Sequence, residues 1–219
     1  MKLSRILLLG LVFLGLLRQD IFASDWELWN KYTITKNLTE KVDFKVEPEL
    51  RFKSEFGHFY FEQTYVGPVF KITKWLKISF LYDYKESEQK KKKKETKDIW
   101  KHEDMGIFDV ELKLPFLLSS NFNYRSRTEY NFTKNGWVQR NNFKVSKECK
   151  KIKGLSFFVG DEIFYNFVSD TLDENRTFVG FSKKINDNLS WGLSYILRYR
   201  KSTYWYSANI LQLEMGISF

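Results

Sequence analysis

The chain has 219 residues, room for one ordinary domain or one mid-sized barrel and not for two separate cores. Aromatic residues make up 18% and charged residues 29%, interleaved nearly one for one, which excludes a globule whose charges collect in loops and points to strands with two unlike faces. The single Cys149 excludes an internal disulfide framework, and the net charge of +9 is partly gathered in one lysine run, so it does not argue for nucleic acid as a partner.

Lys2 and Arg5 precede the apolar run Ile6 to Leu17 and the small-residue end Ile21-Phe22-Ala23. This is the pattern of a secretory leader, here residues 1–23 with cleavage after Ala23, leaving 24–219 as the exported barrel. The run is too short for a spanning helix, which takes about 20 residues.

Asp25 to Lys36 reads as an irregular first strand. Val42 to Lys53 follows with every even position apolar and every odd one charged, so Val42, Phe44, Val46, Leu50 and Phe52 share one face of a strand. Phe59 to Ile72 is less regular, and Leu76, Ile78, Phe80, Tyr82 and Tyr84 resume the alternation. The polar stretch Lys85 to Lys97 contains Lys90, Lys91, Lys92, Lys93 and Lys94; it reads as a solvated loop whose charge would attract anionic surfaces, lipopolysaccharide among them.

Phe108, Val110, Leu112 and Leu114 then alternate with Asp109, Glu111 and Lys113, and Phe122, Tyr124 and Tyr130 with Arg125, Arg127 and Glu129. Irregular strands are expected at Trp137 to Lys147, Leu155 to Phe167 and Arg176 to Ile185. The last two run from Leu189 to Tyr199 and from Leu211 to Phe219. The sequons at Asn37, Asn131, Asn175 and Asn188 are read as strand breaks, where Asn suits turn geometry.

Eleven candidate strands with almost no helix make the chain all-β. Period two does not say which face points inward, so a soluble lipocalin-like barrel shares the signal. Strand length, strand number and the aromatic ends at Trp26, Trp29, Trp75, Trp137, Trp191 and Trp205 favour a transmembrane antiparallel up-and-down barrel in the outer membrane, with the lipid bilayer as its surroundings. Leu213, Met215, Ile217 and Phe219 form the terminal pattern expected to be read by barrel-assembly machinery. Because single-chain bacterial barrels have even strand counts, twelve strands are expected, with ten plus a non-spanning N-terminal segment as second choice.

At Trp26-Glu27-Leu28-Trp29-Asn30, Glu47-Pro48-Glu49-Leu50-Arg51-Phe52, Arg125-Ser126-Arg127-Thr128-Glu129-Tyr130 and Asp161-Glu162-Ile163-Phe164-Tyr165-Asn166-Phe167 the chain resembles domain-of-unknown-function family 2490. The resemblance implies an outer-membrane barrel and brings no activity, cofactor or catalytic residues. The lysine run is an elaboration beyond that pattern.

The charged faces nominate one interior network: Glu47, Glu49 and Arg51; Asp109 and Glu111; Arg125, Arg127 and Glu129; Arg140 and Lys144; and Glu162, preferred over its neighbour Asp161, with Arg176. Opposite charges on adjacent strands pair at about 5 Å, giving either a salt-bridged plug or a narrow polar pore with charge rings. The functional expectation is therefore a pore or a structural barrel, with no cofactor. A lipid-modifying enzyme is the first alternative and a periplasmic lipocalin-like binding barrel the second. Catalysis would need one of the two histidines, His58 or His102, beside a serine; no serine shares a face with His102 nearby, and Ser54 is four residues from His58 across a turn. His102, Glu103 and Asp104 are adjacent in a strand and cannot all face one metal ion.

Overall fold

The computed structural model describes residues 26–53, 56–89, 99–116, 120–201 and 205–219. The expected leader and the run Lys90 to Lys94 lie outside the described residues. Eleven strands make a single closed barrel: β1 (Trp26–Asn37), β2 (Val42–Lys53), β3 (His58–Lys71), β4 (Leu76–Gln89), β5 (Ile99–Phe116), β6 (Ser120–Asn131), β7 (Gly136–Glu148), β8 (Leu155–Asn166), β9 (Thr171–Lys184), β10 (Leu189–Lys201) and β11 (Trp205–Ser218). Each strand pairs antiparallel with its neighbours in sequence, and β1 closes on β11. Phe219 lies at one rim with the last residues of β1, β3, β5, β7 and β9; the last residues of the even-numbered strands and Trp26 lie at the opposite rim.

The expectation of twelve strands is corrected to eleven. The periodicity had already marked eleven segments, and the rule of even counts overrode it. That rule assumes that first and last strands run in opposite directions. Here β1 and β11 run in the same direction, as an odd number of alternating strands requires. Their parallel ladder runs from Trp26 opposite Asn209 to Thr35 opposite Ser218, and Asn37 N–H extends it by donating to the Phe219 carbonyl at 2.8 Å. The second choice also fails, because β1 is paired along its length on both sides.

Two boundaries differ from expectation. β4 continues through Lys85 to Gln89, where the lysine-rich composition suggested a loop. β9 begins at Thr171, so Asn175 sits inside a strand and not at a break. The reason lies in Asn175 and Thr177, polar residues where the apolar face should be, which disguise the alternation.

Register fixes which face is which. On β2, Phe44 is 38% exposed while Glu47 is 5% exposed; on β4, Phe80 is 54% exposed and Asp83 is fully buried. Most of the barrel follows this pattern, with exposed aromatic and aliphatic side chains outside and buried charged ones inside. This is the reverse of a soluble ligand-binding barrel, whose apolar face lines the cavity. Glycine is sterically obligatory next to the β3–β4 ladder. Gly67 on β3 has φ of +155°, and a Cβ there would lie 2.2 Å from the Phe80 carbonyl oxygen. Only glycine lets β4 approach beside Pro68, which has no N–H to give the ladder.

The parallel seam is testable by cross-linking. In a Cys149→Ser background, Asn30→Cys with Leu213→Cys places two thiols on directly paired outward positions, within the span of a disulfide. An intramolecular disulfide should form there, and not with Asn30→Cys plus Ile217→Cys, about 13 Å further along the strand. Mass spectrometry of the unreduced protein distinguishes the outcomes, and a twelve-stranded barrel would yield neither bond.

Candidate functional site

Inward-facing charge is organised around Glu162 on β8. Its Oε1 accepts from Arg125 Nη2 at 3.3 Å and Arg140 Nη2 at 3.2 Å, and its Oε2 accepts from Arg176 Nη1 at 3.4 Å. These arginines stand on β6, β7 and β9, so one carboxylate ties four consecutive strands. Arg140 reaches further, donating through Nη1 to Glu129 at 2.8 Å and to the Tyr65 hydroxyl on β3 at 3.2 Å, across the lumen.

The other ion pairs sit above and below this centre. Arg127 donates to Asp109 Oδ2 through Nε at 3.1 Å and Nη2 at 2.7 Å, and Arg51 Nε to Glu49 at 2.5 Å. Toward the rim opposite Phe219, Glu174 accepts from Arg176 at 2.5 Å, while Glu27 accepts from Arg198 at 2.6 Å, the Tyr60 hydroxyl at 2.6 Å and Trp29 Nε1 at 2.9 Å. Toward the Phe219 rim, Glu47 pairs with Lys31 at 3.1 Å and Lys45 at 3.5 Å.

Aromatic rings fill the space between the guanidinium groups. Trp29 carries Arg51 at 3.8 Å, Arg176 at 4.8 Å and Arg198 at 5.6 Å from its ring centroid. Phe164 faces Arg140 and Arg176 at 4.5 and 4.4 Å, and Tyr65 faces Arg127 at 4.6 Å. A guanidinium over a ring loses less on leaving water than an isolated one. Trp29 was expected in an outer aromatic row with Trp26, but three residues apart on a strand means opposite faces. Trp26 is outside and Trp29 is 1% exposed in the lumen.

Recesses lie on both sides of the packed layer. On the Phe219 side, cavities of ≈250 and ≈370 Å³ share Glu111, Asn123, Lys144 and Phe158. On the other side a ≈420 Å³ recess is lined by Lys85, Glu103, Lys134 and Arg200. Arg140 and Arg176 line recesses on both sides. All the nominated network residues face this interior, but not all are paired. Glu111 and Lys144 make no ion pair among the described residues, and Lys144 rests 5.1 Å from the Phe158 ring. Glu162, and not Asp161, is the inward member of that doublet.

Sequence reasoning missed Glu27, Asp83, Glu103, Glu174 and Arg198, all buried and inward. Arg198 was open to discovery, since it alternates with Leu197 and Tyr199; Glu174 was hidden in what read as a loop. His102 and Asp104 point outward, with His102 Nε2 and Asp104 Oδ2 at 2.7 Å, while Glu103 between them is inward and holds Asn131. His58 Nε2 lies 2.7 Å from Glu88. Among the described residues no serine hydroxyl meets either imidazole. Leu213, Met215 and Ile217 are exposed on the outer wall, and Phe219 is held by its backbone, its N–H donating to Thr35 at 3.1 Å.

Glu162→Ala would remove the acceptor shared by three part-buried guanidinium groups, two of which keep a second carboxylate in Glu129 and Glu174, and should cost about 3 kcal/mol. Glu111→Gln, exposed and without an ion pair, should stay within about 0.5 kcal/mol. Urea titration of the folded, gel-shifted form measures both, and equal midpoints for the two variants would show that the network does not carry stability.

A family model described as "Protein of unknown function (DUF2490)" matches residues 26–205, from the first residue of β1 to the first of β11. No curated protein and no solved structure matches the chain. With most of its length matched in one stretch, the chain belongs to the DUF2490 family.

Proposed function

We propose that the protein is an outer-membrane barrel of structural character, its lumen closed by the Glu162 network and not a continuous pore. The observation that carries this reading is inverted polarity: ion pairs inside, and outside a wall of exposed Phe, Tyr, Trp, Leu and Ile. In water such a wall would aggregate; in hydrocarbon it is the favourable surface, and closure leaves no unpaired strand edge for lipid to meet. A strand of 12 residues such as β2 extends about 40 Å. Tilted by about 40° in a barrel, it covers about 30 Å, the thickness of the hydrocarbon core. Exposed Trp26, Trp75, Trp137, Trp191 and Trp205 stand toward the strand ends, where aromatic side chains favour the membrane interface. The leader-like N-terminus supplies the export route.

The packed layer supports closure of the lumen. Trp29 and Arg127 are each 1% exposed and Tyr65 is 3% exposed, and Arg140 and Arg176 stand between the recesses of the two sides. The mature protein should fractionate with the outer membrane and migrate differently on gels before and after boiling. In planar bilayers it should give no stable conductance. Recovery in the soluble periplasm would overturn the membrane assignment, and reproducible single-channel steps would overturn the plug.

Phe219 anchors the last turn of the seam through main-chain bonds to Thr35 and Asn37. Its deletion should lower the amount of heat-modifiable barrel severalfold while leader cleavage continues, as quantified by immunoblot. Unchanged membrane levels would remove the assembly role from the terminal residue.

A further inference from the structure

The outer wall is not uniform. On β2 the outward side chains are Val42, Phe44, Val46, Pro48, Leu50 and Phe52, and on β10 from Leu189 to Tyr199 they are Leu, Trp and Tyr. The wall from β6 to β9 breaks this rule. Below the aromatic row Tyr130, Trp137 and Tyr165, the outward positions are Ser126 and Thr128 on β6 and Gln139 and Asn141 on β7. Asp161 on β8 and Asn175 and Thr177 on β9 continue the patch.

These side chains are knit together in two groups. Thr128 donates to Gln139 Oε1 at 2.7 Å, Gln139 Nε2 to Ser126 at 2.8 Å, and the Tyr124 hydroxyl to Asn141 Oδ1 at 2.8 Å. Across β8, the Asp161 carboxylate accepts from Asn175 Nδ2 at 2.7 Å and Thr177 Oγ1 at 2.8 Å. What is left over is specific. Among the described residues, the Asn141 N–H donors have no partner, nor has the Asn175 side-chain carbonyl. Both flank Ile163, which pairs with Asn141 on one side and Asn175 on the other.

On the membrane reading above, hydrocarbon offers neither group a hydrogen bond, and a lipid-facing carboxylate is costly. We propose that this patch is the interface between two copies of the chain. Copies inserted in one membrane share an orientation, so their two-fold axis runs along the membrane normal. Such an axis passing beside Ile163 brings the β7 side of one copy against the β9 side of the other. The free side-chain donors of Asn141 then lie across the interface from the free acceptor of Asn175, twice over by symmetry, as a self-complementary interface requires. Strand tilt offsets the two along the normal by about 6 Å, a gap bridged by the two amide side chains. Amide pairing of this kind holds membrane segments together where apolar burial cannot, and Asp161 is withdrawn from lipid between the two barrels.

Disulfide trapping in the native outer membrane tests it, with full-length protein carrying Cys149→Ser. Ile163→Cys should give a dimer on oxidation, and Phe44→Cys on the distant β2 wall should not. Adding Asn141→Leu and Asn175→Leu to Ile163→Cys should lower the trapped fraction about tenfold while the barrel stays heat-modifiable. If Ile163→Cys traps no better than Phe44→Cys in a membrane-inserted barrel, lipid covers the patch and the dimer is wrong while the membrane reading stands. Trapping insensitive to the two leucines would overturn the amide contact as its cause. Recovery of all variants in the periplasm would overturn both readings.

Discussion

Buried charge must be compensated, and that requirement organises this barrel. Glu162 shared among Arg125, Arg140 and Arg176 joins β6 to β9 more specifically than the backbone ladder alone does. A one-residue slip of any of these strands would turn its charge outward and its apolar residues inward. The network therefore specifies register as well as filling space. Rings of Trp29, Phe164 and Tyr65 pack against the guanidinium groups, and burial strengthens each correct ion pair and raises the penalty for each missing one.

The inside of the barrel is graded along its axis. The middle layer holds acids and arginines in near balance. Toward Phe219 it gives way to a recess where Lys77, Lys113 and Lys144 face Glu111 as the lone acid among the lining residues they share. Arginine dominates where space is tight and pairing must be directional; lysine takes over where water enters. This division follows from the planar, weakly hydrated guanidinium and the strongly hydrated ammonium.

Strand identity and the inward charged set were readable because Val42 to Lys53 and its counterparts alternate without interruption. Polarity of the faces was not, since period two is symmetric under inversion; register and burial had to decide it. Trp29 was misplaced because aromatic content was read without the parity of Glu27, Trp29 and Lys31. Asn175 was misread as a break for a related reason: an outward polar residue imitates a turn unless the pairing of β8 with β9 is known. The strand count went astray through a general rule about closure, when the local alternation itself already counted correctly.

A seam in which β1 and β11 run the same way leaves the start of the first strand and the end of the last at opposite mouths of the barrel. Even-stranded barrels keep both at one mouth, where a short loop can join them and the chain can be reopened at another turn. Here a joining segment would have to travel the full height of the wall, about 30 Å for 12 residues tilted by about 40°, either past Trp29 and its arginines or along the outside. Circular permutation by a short linker, tolerated in many barrels, is thus closed to this one, and β1 and β11 are fixed as the places where the fold begins and ends.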